Sequence, residues 1–170
     1  MGARALAKRL ARFAEFVLAM LLLAMFVAFL VQIAFRYLFD FPIGWTSEIT
    51  VITWLWLVLW GAAFVVTEAE EIRFDLIYSA VGARTRRIMA IVTAVALLVL
   101  YGMSLPAVID YVTFMRVQST AYLKIRFDWL FSICVVFAVA TLVRYAWILW
   151  WALRGKGPEA FDPTKASSGV

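Results

Sequence analysis

Residues 13–35 read FAEFVLAMLLLAMFVAFLVQIAF. Glu15 stands at the edge of this run, and Gln32 is its one strongly polar interior residue. A helix crosses the hydrocarbon core of a bilayer with about 20 predominantly apolar residues. Only a helix or a closed barrel can pair all its backbone groups there. The stretch therefore predicts a transmembrane helix. It is too long for the apolar region of a signal peptide, and no small-residue cleavage site follows Phe35, so an uncleaved span is the expectation.

Working outward, three more segments meet the same criterion: about 49–67, 88–108 and 129–153. The fold class expected is an all-α membrane protein with four transmembrane helices. Ahead of the first span, Leu6, Leu10 and Phe13 fall on one helical face and Arg4, Lys8 and Arg12 on another. This pattern predicts a short amphipathic helix in the membrane interface. Residues 1–154 then form one transmembrane domain. Residues 155–170, with Gly155, Gly157, Pro158 and Pro163, carry too little apolar surface to fold and are expected to be a disordered tail.

Composition agrees with this reading. The chain is 66% hydrophobic, well above the roughly 45–50% of a soluble domain. Its net charge of +5 would suit nucleic acid in a soluble protein. Here the basic residues flank apolar spans, so orientation explains them and no nucleic acid is expected. Arg4, Lys8, Arg9 and Arg12 precede the first span. Arg73, Arg84, Arg86 and Arg87 lie in the second connection, and Arg154, Lys156 and Lys165 follow the fourth span. Arg36, Arg116, Lys124 and Arg126 lie on the opposite side. Lys and Arg in short loops face the cytoplasm. Both termini are therefore expected in the cytoplasm of a bacterium, with the chain in the inner membrane.

The residues also exclude chemistries. There is no His and one Cys, Cys134, so neither a bis-His haem nor a Cys/His zinc site can be built, and no intrachain disulfide can form. Cys134 reads as a small apolar filler in the fourth span. No paired carboxylates lie within the spans, so no enzyme, metal site or cofactor is expected. Arg144 is the one charge deep in a span. Its long side chain can snorkel toward the cytoplasmic face or meet an acidic group or lipid phosphate. In the second span Trp56 and Trp60 share a face at i,i+4 spacing. They suit contact with a partner subunit, packing among the chain's own helices, or contact with lipid.

The first connection reads Phe35-Arg36-Tyr37-Leu38-Phe39-Asp40-Phe41-Pro42-Ile43-Gly44-Trp45-Thr46-Ser47-Glu48. Arg36 ends the span at the water interface, and Tyr37 and Trp45 are interfacial anchors. Pro42 and Gly44 turn the chain. Thr46 is expected to cap the next helix, and Glu48 to sit in its first turn and favour the helix dipole.

A span ending in Phe-Arg-Tyr, followed by Pro-x-x-Trp-x-x-Glu at the start of the next, resembles the small membrane subunit of TRAP (tripartite ATP-independent periplasmic) transporters, the DctQ-like family. Glu71-Ile72-Arg73-Phe74-Asp75-Leu76 looks like that family's short charged motif, with Glu71 where His is common. Leu123-Lys124-Ile125-Arg126-Phe127-Asp128-Trp129 looks like its entry to the fourth span, with Arg126 where Pro is common. The resemblance covers about residues 10–153. It implies a scaffold for a large DctM-like membrane subunit that moves as an elevator, and a periplasmic DctP-like binding protein that delivers an organic acid. Uptake is then driven by sodium without ATP. Arg36, Tyr37, Pro42, Trp45, Glu48, Trp56 and Trp60 become candidates for contact with those partners, and Arg73 and Asp75 for ordering the cytoplasmic connection. The alternative is a small transporter or channel that works alone as a homo-oligomer. Spans without embedded carboxylates disfavour it.

Overall fold

The computed structural model describes residues 2–41, 43–66 and 82–154. Among these, four helices are long and apolar enough to cross a membrane. Helix α1 runs Gly2–Leu38. Helix α2 runs Gly44–Trp60 and continues as a π-helical turn, Gly61–Val65. Helix α3 runs Ala83–Phe114, closed by a 3-10 turn at Met115–Val117. Helix α4 runs Phe127–Leu153. The segments with span character are Lys8–Leu38, Gly44–Val65, Arg84–Val117 and Phe127–Leu153.

Two boundaries differ from the sequence reading for plain reasons. The amphipathic stretch before the first span is not a separate interfacial helix. It forms the opening turns of α1, because no Gly or Pro interrupts residues 3–38. At 37 residues, α1 is about 55 Å long, well beyond a hydrocarbon core of about 30 Å. The third span extends past 108 to Phe114, with Pro106 inside the helix. The tail at 155–170 lies outside the described residues.

The chain divides into two compact units, one of Met1–Val66 with Leu105–Ala140, the other of Thr67–Ser104 with Thr141–Val170. In the first, α1 and α2 pack along their length as a helical hairpin. Small residues form the seam: Ala14, Ala28, Gly61 and Ala63 are buried. A Cβ on Gly61 would lie 3.2 Å from Leu18 Cδ1, so the Leu18 side chain packs against the surface that glycine leaves bare. Lipid tails are as apolar as leucine, so helices in a membrane associate through close packing and interhelical hydrogen bonds rather than through apolar burial. The large side chains accordingly point outward. Phe16, Leu22, Leu23, Phe26 and Leu30 on α1 are exposed, as are Val51 and Trp54 on α2.

The π-helical turn falls where α2 meets α1. Val66 N–H donates to the Gly61 carbonyl at 2.9 Å, one residue wider than an α-helical bond. Trp60 and Phe64 rings lie 4.7 Å apart across it. Wider turns of this kind re-aim side chains on an otherwise regular helix.

In the second unit, Arg87 of α3 caps the carboxyl end of α4. Its Nε donates to the Ala152 carbonyl at 2.6 Å and its Nη2 to that of Leu153 at 2.9 Å. A guanidinium there answers both the unpaired carbonyls and the negative end of the helix dipole. Arg154 stacks on the Trp150 ring, 4.3 Å from its centroid.

Replacing Gly61 by Ile should drive a branched side chain into Leu18 and destabilise the α1–α2 hairpin by about 1–3 kcal/mol. The measurement is thermal unfolding of the detergent-solubilised protein. Leu18→Ala in the same background should recover part of the loss.

Candidate functional site

The densest set of long-range polar contacts among the described residues joins the amino end of α2 to the connection between α3 and α4. That connection has a defined shape. Thr120 N–H donates to the Ile125 carbonyl at 2.9 Å and Phe127 N–H to that of Gln118 at 3.0 Å, with Ser119 and Arg126 paired in an antiparallel bridge. Thr120 is buried, and its Oγ1 accepts from Ile125 N–H at 3.1 Å. Lys124 lies in the left-handed region at φ 56°. Arg126 and Asp128 form a two-bond ion pair on the surface.

Glu48 closes this loop onto α2. Its Oε1 accepts from Tyr122 N–H at 2.8 Å and its Oε2 from Leu123 N–H at 2.9 Å. One carboxylate facing two N–H donors is the charge-assisted arrangement that makes the stronger class of hydrogen bond. Gly44 has a part that a turn does not explain: a Cβ built on it would fall on the Tyr122 ring. The ring occupies the space that glycine leaves empty.

Helix α2 starts earlier than expected, and two local roles change with it. The residue before its first turn is Ile43, which has no side-chain acceptor to offer. Thr46, two residues inside, is fully buried and donates its hydroxyl to the Ile43 carbonyl at 3.0 Å, so it does not cap the helix. Glu48 lies beyond the first turn, and its carboxylate serves the loop rather than the helix end. On the other side of the first connection, Asp40 adopts a left-handed conformation at φ 49°. Phe41 N–H reaches back to the Phe35 carbonyl at 3.2 Å, and this turns the chain out of α1.

The remaining candidates fall in different places. Arg36 and Tyr37 are exposed on the last turn of α1, and Trp45 is exposed at the start of α2. Trp56 and Trp60 share a face of α2, as their spacing predicts, and each indole N–H reaches a neighbouring helix. Trp56 Nε1 donates to the Leu130 carbonyl of α4 and Trp60 Nε1 to the Ala14 carbonyl of α1, both at 3.1 Å. Arg144 is half-buried within α4. Pro42, Arg73 and Asp75 lie outside the described residues.

An apolar groove of about 290 Å³ runs beside α3 and α4, lined by Ala107, Val108, Tyr111, Val112, Phe131 and Cys134. Among the described residues, no group of three His, Cys, Asp or Glu side chains is placed to hold a metal ion. Thr120 and Tyr122 escaped the sequence reading, and Gly44 and Leu123 entered it only as a turn residue and as part of the approach to the fourth span. Their association joins residues more than 70 positions apart, and nothing in the spacing of one sequence signals it.

These features define a class: a multi-pass α-helical membrane protein in which the connection between α3 and α4 is tied by hydrogen bonds to the start of α2. The description "tripartite ATP-independent periplasmic transporters, DctQ component" matches residues 25–155. The chain belongs to this family of small TRAP permease components and is a multi-pass inner-membrane protein. The C4-dicarboxylate TRAP transporter small permease protein DctQ of Vibrio cholerae serotype O1 is 36% identical to it over 78 residues, 46% of this chain. The aligned stretch spans 34% of that relative's length.

Replacing an indole by a phenyl ring removes the N–H together with part of the ring and should weaken each tie. Trp56→Phe and Trp60→Phe are each expected to lower stability by about 1 kcal/mol, within the range of interhelical hydrogen bonds in membranes. Trp56 and Trp60 stand one turn apart on one face of α2, so the double variant should show coupling rather than simple addition. Chemical denaturation in mixed micelles reads both.

Proposed function

We propose that this chain is the static scaffold of a sodium-driven, binding-protein-dependent transporter of organic acids. It would hold a large DctM-like subunit in place while a DctP-like protein delivers substrate from the periplasm. The observation that carries this reading is the division of labour on α2. Trp56, Trp60 and Glu48 are directed to α4, α1 and the 118–126 loop and the helix's hydroxyls bond nearby backbone, while Val51, Trp54 and Val58 are exposed. That is the surface a fixed membrane partner requires, and it offers no polar path to a solute. The C4-dicarboxylates for which the Vibrio cholerae relative is named make a small dicarboxylate the first substrate to test.

The Lys/Arg distribution supports cytoplasmic termini, with the first and third connections in the periplasm. On this reading Arg36, Tyr37, Pro42 and Trp45 contact the partner proteins on that side. Arg73 and Asp75 order the cytoplasmic connection, and Arg144 reaches toward the cytoplasmic lipid headgroups. Membrane lipids fill whatever part of the apolar surface the large subunit leaves open.

The test is recovery of the tagged chain in mild detergent, followed by reconstitution. A large membrane protein should co-purify in stoichiometric amount. Sodium-dependent succinate or related uptake should need this chain, the large subunit and the binding protein together. Recovery of a homo-oligomer that transports alone would replace this reading with a self-sufficient small transporter.

A further inference from the structure

We infer that Glu48 is a positioning residue: its carboxylate holds the loop at 118–126 in one conformation against α2, and the loop, not the Glu48 side chain, is what this face presents to a partner. Three observations converge on this. The loop is closed by bonds of its own, Thr120 N–H to the Ile125 carbonyl, Phe127 N–H to that of Gln118, and Ile125 N–H to Thr120 Oγ1. At its tip, the N–H groups of Tyr122 and Leu123 are taken by the two oxygens of Glu48 instead. A loop tip with two adjacent N–H groups and one carboxylate beneath it has a single best seating.

The second observation is strain. Lys124 is held at φ 56°, a conformation that its Cβ disfavours. It sits directly after the two residues that Glu48 binds, and a strained residue persists only where its surroundings over-determine it. The third is shape. The Tyr122 ring rests over Gly44, where any larger residue would displace it. The same tyrosine remains 65% exposed, so the clamp fixes the residue's backbone while leaving much of its ring outward. Glu48 itself is half-covered, with both oxygens turned into the loop.

The consequence for transport rests on the scaffold reading above. If the loop's shape is what matters, loosening the loop while the Glu48 carboxylate stays in place must have the same effect as removing Glu48. Thr120→Val does this: it preserves side-chain volume in a buried site, deletes the acceptor for Ile125 N–H and the hydroxyl's own bond to Glu48, and keeps the carboxylate. A direct-contact role for Glu48 makes the opposite prediction.

Hydrogen exchange of the segment carrying the Tyr122 and Leu123 amides, followed by mass spectrometry on the full chain in detergent, tests the clamp. Glu48→Ala should speed exchange by about tenfold or more, as expected for loss of hydrogen bonds to a charged acceptor. Glu48→Gln should give a smaller increase, since its amide oxygen still accepts one bond while its NH₂ cannot accept. Thr120→Val should also speed exchange, and its effect should not add fully to that of Glu48→Ala, because both act on one loop. Unchanged exchange in Glu48→Ala and Glu48→Gln overturns the inference. In the reconstituted three-component transporter, Thr120→Val and Glu48→Ala should both lower succinate uptake. Loss of uptake in Glu48→Ala with wild-type uptake in Thr120→Val would make Glu48 a direct contact and also overturn it. Exchange is measured on this chain alone, so failure of the wild-type proteins to assemble or transport would sink the scaffold reading and leave the clamp to be judged on exchange.

Discussion

Hydrocarbon offers a polar group no hydrogen-bond partner, and the architecture of this chain follows from that constraint. Backbone groups close on themselves within four helices. Side-chain donors on α2 then have only a few acceptors within reach, namely the carbonyls of the helices beside it. Trp56 and Trp60 take those acceptors on α4 and α1 respectively. A tryptophan facing lipid near the membrane centre would leave its N–H unpaired, which costs more than the small gain from its ring. The same logic places Arg87 on the last carbonyls of α4, where a helix end would otherwise keep orphan acceptors.

The constraint relaxes outside the membrane, and there the chain uses charge. Glu48 is close enough to the end of α2 to keep a carboxylate, and deep enough in the fold to find two backbone donors. The link holds the 118–126 loop against the start of α2. Small residues do comparable work between helices. Gly61 admits Leu18, and Gly44 admits the Tyr122 ring. In both places the absence of a Cβ sets the distance between elements.

The scaffold role proposed above calls for stiffness and an apolar exterior. The buried set here is dominated by alanine, with Ala14, Ala28, Ala63, Ala90, Ala94, Ala138 and Ala152 inside and the bulky side chains outside. Such a chain is inverted relative to a soluble bundle, because its solvent on the outside is lipid or another protein's helices.

The four apolar runs determined the class of fold. A membrane span is a local property: about 20 residues without charge suffice, and no distant residue can change that outcome. The Arg-Tyr and Pro-x-x-Trp-x-x-Glu stretch pointed to the family for a similar reason, since its residues are neighbours along the chain. The i,i+4 spacing of Trp56 and Trp60 put them on one face, but their acceptors on Leu130 and Ala14 came only from the packing of α2 against other helices. Glu48 shows the same limit. Its sequence neighbours suggested a helix-dipole role, whereas its partners lie 74 and 75 residues away. Thr46 was misjudged because a helix start depends on where the preceding turn releases the chain, and Asp40 and Phe41 release it early enough for α2 to begin at Gly44. Periodicity and composition are written along the chain; which donor meets which acceptor is decided by the tertiary structure, because a hydrogen bond depends on distance in space and not on separation in sequence.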